Sequence, residues 1–186
     1  MIYIAPEFLP EAALEKERYT QHNNSIADSG YINFQKKVSR HILNKIPRNK
    51  KGLDFGSGAE KVMQRILQED GYSMTSWDPF FARASNALNE KYDFITCVEV
   101  TEHFHYPDKE FILLKNLLNP DGTLIIMTQF FYPEIDFNAW WYTRDFTHVC
   151  FYREETFHWI ADRYNYEVFF PEKNIVILRQ GSIPKI

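Results

Sequence analysis

An apolar run ends in the glycine turn Asp54-Phe55-Gly56-Ser57-Gly58, and a helix-patterned segment follows at once. No other stretch limits the choice of fold as much. A strand that turns directly into a helix must reverse within a few residues, and glycine, lacking Cβ, reaches the dihedrals this needs. Lys51 to Phe55 predicts a short buried strand. Residues 60–70 predict a helix, with Val62, Met63, Ile66 and Leu67 on one face. Gly71 closes that helix, and Ser73 to Trp77 predicts a second strand ending at Asp78. The third predicted strand, Tyr92 to Val98, is apolar on both faces through Phe94-Ile95-Thr96-Cys97-Val98, as an internal parallel strand should be. Pro107 and Asp108 open a helix with Phe111, Leu114, Leu117 and Leu118 inward. The turn Asn119-Pro120-Asp121-Gly122 leads into a fourth strand over 123–129. Strands alternating with helices predict an α/β fold in three layers, with a mostly parallel sheet.

The flanks read differently. Residues 1–30 are polar and turn-rich, and predict a surface arm or lid with one short helix near 11–17. From Tyr31, apolar residues at Phe34, Val38, Ile42 and Ile46 make one helical stripe that Pro47 ends. Beyond the fourth strand, Phe157, Ile160, Ala161 and Tyr164 predict a helix over 154–164. Residues 166–170 and 174–178 predict an antiparallel hairpin at the sheet edge. With 186 residues and no linker or repeat, one domain is expected: an arm (1–30), a ligand-binding core (51–129) and a loop (130–153).

A formal net charge of −4 leaves no broad basic field, so no nucleic-acid partner is expected. The cluster Arg48, Lys50, Lys51 reads as a solvated loop. No apolar stretch reaches the roughly 18–20 residues that cross a bilayer, so no membrane partner is expected. No basic region followed by an apolar run opens the chain, and Cys97 and Cys150 stand apart, so a cytoplasmic protein is expected.

Ligands of open parallel sheets bind at the carboxyl ends of the strands, where this turn lies. A bare glycine turn is weak support, since such turns close many strand–helix junctions without a ligand. Three neighbours strengthen it. Asp54 ends the first strand, where burying an unpaired carboxylate is costly and a ligand ammonium would relieve it. Asp78 ends the next strand, 20 residues after Gly58, where a carboxylate accepts the hydroxyls of a ribose. Glu99 and Glu102 follow the third strand. A dinucleotide site shares the turn and the ribose acid, but Lys61 stands where its third glycine would be, and Asp54 would sit badly beside two phosphates. An amino acid joined to a nucleoside fits better.

Taken together, Gly52-Leu53-Asp54-Phe55-Gly56-Ser57-Gly58, Ser76-Trp77-Asp78-Pro79, Tyr92 to His103 and Leu118-Asn119-Pro120-Asp121-Gly122-Thr123-Leu124 resemble, in order, the motifs of class I S-adenosylmethionine-dependent methyltransferases. The resemblance implies a Rossmann-like fold with S-adenosylmethionine as cofactor. It implies that Gly56, Ser57 and Gly58 line the methionine part and that Asp78, with Pro79 beside it, binds the ribose. Cys97, Val98 and Glu99 would flank the cofactor. Only 14 residues separate Asp78 from Asp93, so a strand that the family usually carries there is expected to be missing or vestigial. That leaves the adenine contacts open; Phe80 and Phe81 are the aromatic candidates.

Methyl transfer needs an aligned acceptor, and a base where the acceptor is a weak nucleophile. The stretch Trp140-Trp141-Tyr142-Thr143-Arg144-Asp145-Phe146-Thr147-His148-Val149 is dense in aromatic and polar groups. His148 is the candidate base, with Asp145 holding its tautomer and Tyr142 or Arg144 holding the acceptor. The plainer alternative is that His148 only braces a loop. This stretch, with Tyr19, His22, Asn23 and Tyr31, resembles a small bacterial subgroup of these methyltransferases whose acceptor is not named. His103, His105, His148, Glu102 and Asp145 fit no regular zinc spacing, so no metal is expected. The reading favoured is methyl transfer to a small-molecule acceptor. A non-catalytic binding module and a dinucleotide-dependent oxidoreductase are the alternatives.

Overall fold

The computed structural model describes residues 1–21, 24–83 and 86–181. In chain order the elements are β1 (Ile2–Tyr3), α1 (Ala12–Thr20), α2 (Ser29–Leu43), β2 (Lys51–Phe55), α3 (Val62–Glu69), β3 (Ser73–Trp77) and β4 (Tyr92–Val98). They continue with α4 (Pro107–Leu117), β5 (Leu118–Met127), β6 (Cys150–Phe151), α5 (Glu154–Tyr164), β7 (Tyr166–Glu172) and β8 (Ile175–Gln180).

The main sheet has the order β3-β2-β4-β5-β8-β7. Its first four strands are parallel; β8 runs antiparallel to both β5 and β7. The expected parallel core with an antiparallel hairpin is therefore present. The hairpin turn falls between Glu172 and Ile175, a little later than the sequence suggested. Among the described residues no strand lies between Asp78 and Tyr92 beyond a single bridge of Asp78 with Ala82, so β3 is the sheet edge.

Side-chain alternation builds the three layers. On one face Phe94, Ile125, Met127 and Ile177 pack against Val38 and Ile42 of α2 and Met63 and Leu67 of α3. On the other, Ile95, Cys97, Leu124 and Ile126 pack against Phe111 and Leu114 of α4 and Phe157 and Ile160 of α5. Successive strand residues point to opposite faces, so a strand apolar at every position is covered on both. The α2 stripe buries Val38 and Ile42, but the helix stops at Leu43, short of Ile46. Its start is set by Asp28, whose carboxylate accepts from the amides of Gly30 and Tyr31.

Two local departures have physical causes. α3 begins at Val62, because Lys61 takes the left-handed conformation (φ 51°). A non-glycine residue there costs about 1–2 kcal/mol. The strand β5 extends back to Leu118, which pairs with Tyr92 across a register shift, so the Pro120-Asp121 turn lies inside the strand.

Candidate active site

The chain runs outward from β2 to β3 and then returns to the other side of β2 as β4. Where the strand order reverses, loops on either side part and leave a crevice at the carboxyl ends. A cleft of about 1000 Å³ opens there. Asp54, Gly56, Ser57, Gly58, Asp78, Pro79, Val98 and Glu99, all named from sequence, line it. Cys97 does not. Its side chain is fully buried against the α4 and α5 face, because alternation along β4 turns it away when Val98 faces the cleft. Its expected place beside the cofactor is corrected accordingly.

Gly56 and Gly58 both have left-handed φ, 74° and 63°. A Cβ on Gly56 would lie 2.5 Å from a Val100 methyl, whereas one on Gly58 would meet no protein atom within 4 Å and would project into open space. Asp78 is built into the turn. Its Oδ2 accepts from the Gly58 amide at 3.0 Å, and its Oδ1 accepts from the Phe80 and Phe81 amides at 2.8 and 3.0 Å. Asp54 is buried, with Oδ1 accepting from the Thr96 hydroxyl and Oδ2 without a hydrogen-bond partner. Burial, opposed by the Thr96 hydrogen bond, pushes its carboxyl up to about 7. A buried, unpaired carboxylate oxygen beside a cradle with no side-chain bulk suits a ligand that brings a cation and a flat or polar body. The site residues therefore fit the amino-acid and ribose ends of S-adenosylmethionine.

The opposite wall comes from the segment after β4 and from residues 130–153. Glu99 also sits in the left-handed conformation, φ 52°, a strained position of the kind that gathers at functional sites. Tyr142 is almost wholly buried beneath the wall. Its hydroxyl contacts Thr128 at 3.1 Å and donates to Glu99 at 3.4 Å. It braces Glu99 from a nearly buried position and still lines the cleft, where the sequence expected it to hold the acceptor. His148 faces the cleft with its Nδ1 2.7 Å from the Tyr142 carbonyl. A carbonyl only accepts, so Nδ1 carries the proton and the neutral ring has its lone pair on Nε2. The group that sets the tautomer is thus the Tyr142 carbonyl. The Asp145 carboxylate, expected in that role, instead binds Arg18 and the Thr147 hydroxyl and amide. Burial alone would raise Asp145, but Thr147 and Arg18 outweigh it and hold the carboxyl well below the usual carboxylate range.

Three contributors take their places only in the folded chain. Helix α1 crosses the cleft mouth: Tyr19 packs on Phe80 on one side and on His103 on the other, and Glu15 pairs with His105 at 3.0 Å. Arg18 pairs with Asp145 at 2.8 Å, with side chains 33% and 12% exposed. Arg18→Ala is expected to weaken ligand binding in the cleft about fivefold, since a part-exposed pair is worth up to ~1 kcal/mol. Thermal unfolding should barely move; titration calorimetry and a melt on one sample check both. His22 and Asn23, which the sequence grouped with Tyr19 and Tyr31, lie outside the described residues. Lastly, Glu102, His103 and His148 converge, with one ligand atom of each within 4.8 Å of the others. His105 pairs with Glu15, and Asp145 pairs with Arg18 while also feeling the nearby His148.

Comparison with known proteins agrees with this geometry. A segment of 81 residues is 32% identical to a ubiquinone biosynthesis O-methyltransferase of Actinobacillus pleuropneumoniae serotype 5b, covering 41% of this chain and 35% of that protein. A second such enzyme, from serotype 7, matches at 32% over 49% of this chain and 41% of its own length. The chain thus spans well under half the length of these curated relatives. The fold matches that of the Burkholderia thailandensis 1,6-didemethyltoxoflavin-N1-methyltransferase, solved with its substrate and S-adenosylhomocysteine (TM-score 0.66, 13% identity, 98% of this chain and 93% of that one). It also matches magnesium protoporphyrin IX methyltransferase from Synechocystis PCC 6803, solved with S-adenosylmethionine (TM-score 0.55, 13% identity, 95% of each chain). The methyltransferase domain model spans residues 31–169, which takes in the glycine turn, the acid at the end of β3, the wall after β4 and helix α5, and the chain belongs to that methyltransferase domain family.

Proposed function

We propose that the protein transfers a methyl group from S-adenosylmethionine to a small-molecule acceptor held between the β4 wall and residues 130–153. The observation that carries this is the convergence of Asp54, Gly56, Gly58 and Asp78 at one strand crossover. There an orphaned carboxylate oxygen, a turn whose two glycines bring no side chain and a backbone-anchored acid sit along one cleft. Asp54 would meet the cofactor ammonium, Gly56 to Gly58 its amino-acid chain, and Asp78 its ribose hydroxyls. Pro79, Phe80 and Phe81 continue the same wall towards the base. When bound, the cofactor supplies an electrophilic methyl carbon on a sulfonium sulfur. The chain's own task is to orient an acceptor against that carbon and to handle the acceptor's proton.

The polar corner for that task is His103 with His148. Their rings lie 4.9 Å apart, and each has its Nδ1 on a backbone carbonyl, Thr147 for His103 and Tyr142 for His148. Both lone pairs are therefore at Nε2, which suits an acceptor bearing a hydroxyl. Helix α1 would act as a lid that excludes water. The curated relatives named above are O-methyltransferases, which favours oxygen as the methylated atom. Among the described residues no helix is long and apolar enough to cross a membrane.

Titration calorimetry with S-adenosylhomocysteine tests the cofactor assignment. Micromolar binding is expected, falling at least 30-fold in Asp78→Ala. That variant loses the ribose contacts and frees the Gly58, Phe80 and Phe81 amides. No heat with the wild-type chain would refute the reading. Binding without methyl release to any hydroxylated acceptor would instead favour a non-catalytic module.

A further inference from the structure

We infer that the Tyr19 ring recognises the positive charge of the cofactor's sulfonium, so that helix α1 holds the cofactor before transfer and lets the uncharged product go. This rests on the methyl-transfer reading, and it adds to the cofactor site a residue far from the glycine turn.

Tyr19 stands where the two walls of the cleft meet. Its ring centroid lies 5.7 Å from that of Phe80 on the ribose side and 5.1 Å from that of His103 on the acceptor side. Both neighbours are held in place. The Phe80 amide donates to Asp78 Oδ1, and the His103 ring has its Nδ1 on the Thr147 carbonyl. In S-adenosylmethionine the sulfur joins the ribose to the amino-acid chain. A cofactor that spans Asp78 and the glycine turn, and presents its methyl to His103 and His148, would bring its sulfonium to Tyr19, which lines the same cleft.

The surroundings suit a cation. Among the described residues carboxylates line the cleft on both walls, and no lysine or arginine does. Tyr19 is half-buried, and its hydroxyl donates to Glu15 at 3.5 Å. Burial and the Glu15 charge push the phenol well above its usual range, against the hydrogen bond with Thr147, so the ring stays neutral. An aromatic face attracts a cation within about 6 Å of its centroid, and more strongly where water is excluded. One such contact raises affinity about 2- to 30-fold.

A neutral thioether in the same place gains none of this. On transfer the acceptor's lone pair forms the new bond to the methyl carbon, the S–C electron pair stays on sulfur, and the acceptor's proton passes to a histidine Nε2 of the polar corner. The charge that Tyr19 recognises is then gone. Tyr19 belongs to α1, which also reaches the acceptor wall through Glu15 with His105 and Arg18 with Asp145. Loss of the ring contact therefore loosens the helix over the mouth when the product must leave. A ligand shifts such an equilibrium only by its differential interaction with the two states, and the charge on sulfur is that difference.

The test is calorimetry with S-adenosylmethionine and S-adenosylhomocysteine on the wild-type chain, Tyr19→Phe and Tyr19→Leu, and the readout is the ratio of the two affinities. The wild-type chain should bind S-adenosylmethionine about fivefold or more tightly than its demethylated product. Tyr19→Phe keeps the ring and should keep most of that ratio. Tyr19→Leu should lower it about threefold or more. A purely structural role for Tyr19 would weaken both ligands together and leave the ratio as it was, which overturns the inference. A wild-type chain that binds both ligands equally, or a ratio lost as fully in Tyr19→Phe as in Tyr19→Leu, overturns it too and leaves the cofactor reading intact. A wild-type chain that binds neither ligand removes the cofactor reading, and the inference falls with it.

Discussion

Gly56→Ala should lose at least 100-fold in cofactor affinity and unfold about 5–15 °C earlier than the wild-type chain. Two costs add. The left-handed φ of 74° disfavours any Cβ by about 1–2 kcal/mol. The new methyl would also lie 2.5 Å from a Val100 methyl group, which forces the end of β2 or the segment after β4 to move. Overpacking of that kind costs about 1–3 kcal/mol. A domain of this size loses about 2–4 °C per kcal/mol. Both walls of the cleft meet at this contact, so the displacement also reaches Glu99 and the cofactor cradle. The double variant Gly56→Ala with Val100→Ala should recover the steric part, roughly half of the lost stability, and leave the dihedral part. Gly58→Ala makes the contrast. Its Cβ meets no protein atom, so it should cost only the dihedral strain while still blocking the ligand. Thermal melts with calorimetry on the four proteins would decide. Wild-type affinity in Gly56→Ala would show that the ligand does not approach this backbone.

Asp54→Asn should make the ligand-free protein more stable at pH 8 and the cofactor at least tenfold weaker. Burial holds the Asp54 carboxyl at about 7, well above its value in an unfolded chain. Below about pH 4 it is protonated in both states and carries no penalty. As pH rises from about 4 to 7 the unfolded chain has released the proton and the folded chain still holds it, so stability declines over that window. Above pH 7 the full cost is in place, on the order of 4 kcal/mol. Asparagine removes that cost, keeps an oxygen for Thr96 and cannot pair with an ammonium. The net gain should be about 1–3 kcal/mol, with a flatter dependence on pH between 4 and 8. The affinity gap to wild type should be widest at pH 8 and narrow towards pH 6, where wild-type Asp54 is itself protonated. Equal S-adenosylhomocysteine affinities at pH 8 would sink the pairing of Asp54 with the cofactor.

Much of this was readable one residue at a time. The strands β2, β3 and β4 match the predicted spans because each is an apolar run bounded by turn residues, and burial on both faces leaves no other pattern. The cleft wall at the glycine turn followed from position alone: a residue at the carboxyl end of a parallel strand is at the crevice wherever the rest of the chain goes. Cys97 shows the limit of this. It lies in the right stretch, but which face of β4 it occupies depends on the register with β2 and β5. Lys61 shows another. Its residue type gives no hint of a left-handed dihedral, which the strand-to-helix turn imposes.

Asp54 to Gly58 and Asp78 were therefore fixed by local sequence, since short-range geometry and strand order suffice to place them. The opposite wall was decided by the tertiary structure. Arg18 and Asp145 are 127 positions apart, and His103 and Thr147 are 44 apart. Spacing along the chain says nothing about pairs so distant, and so Asp145 looked like the partner of His148 when the Tyr142 carbonyl holds that place. Glu102 makes the same point. In the sequence it is one acid among 25. Only the packing of residues 101–105 against 147–152 strips its water away, leaves its oxygens unpaired and brings two imidazoles alongside. A buried charge is a property of what surrounds it, and the surroundings exist only once the chain has folded.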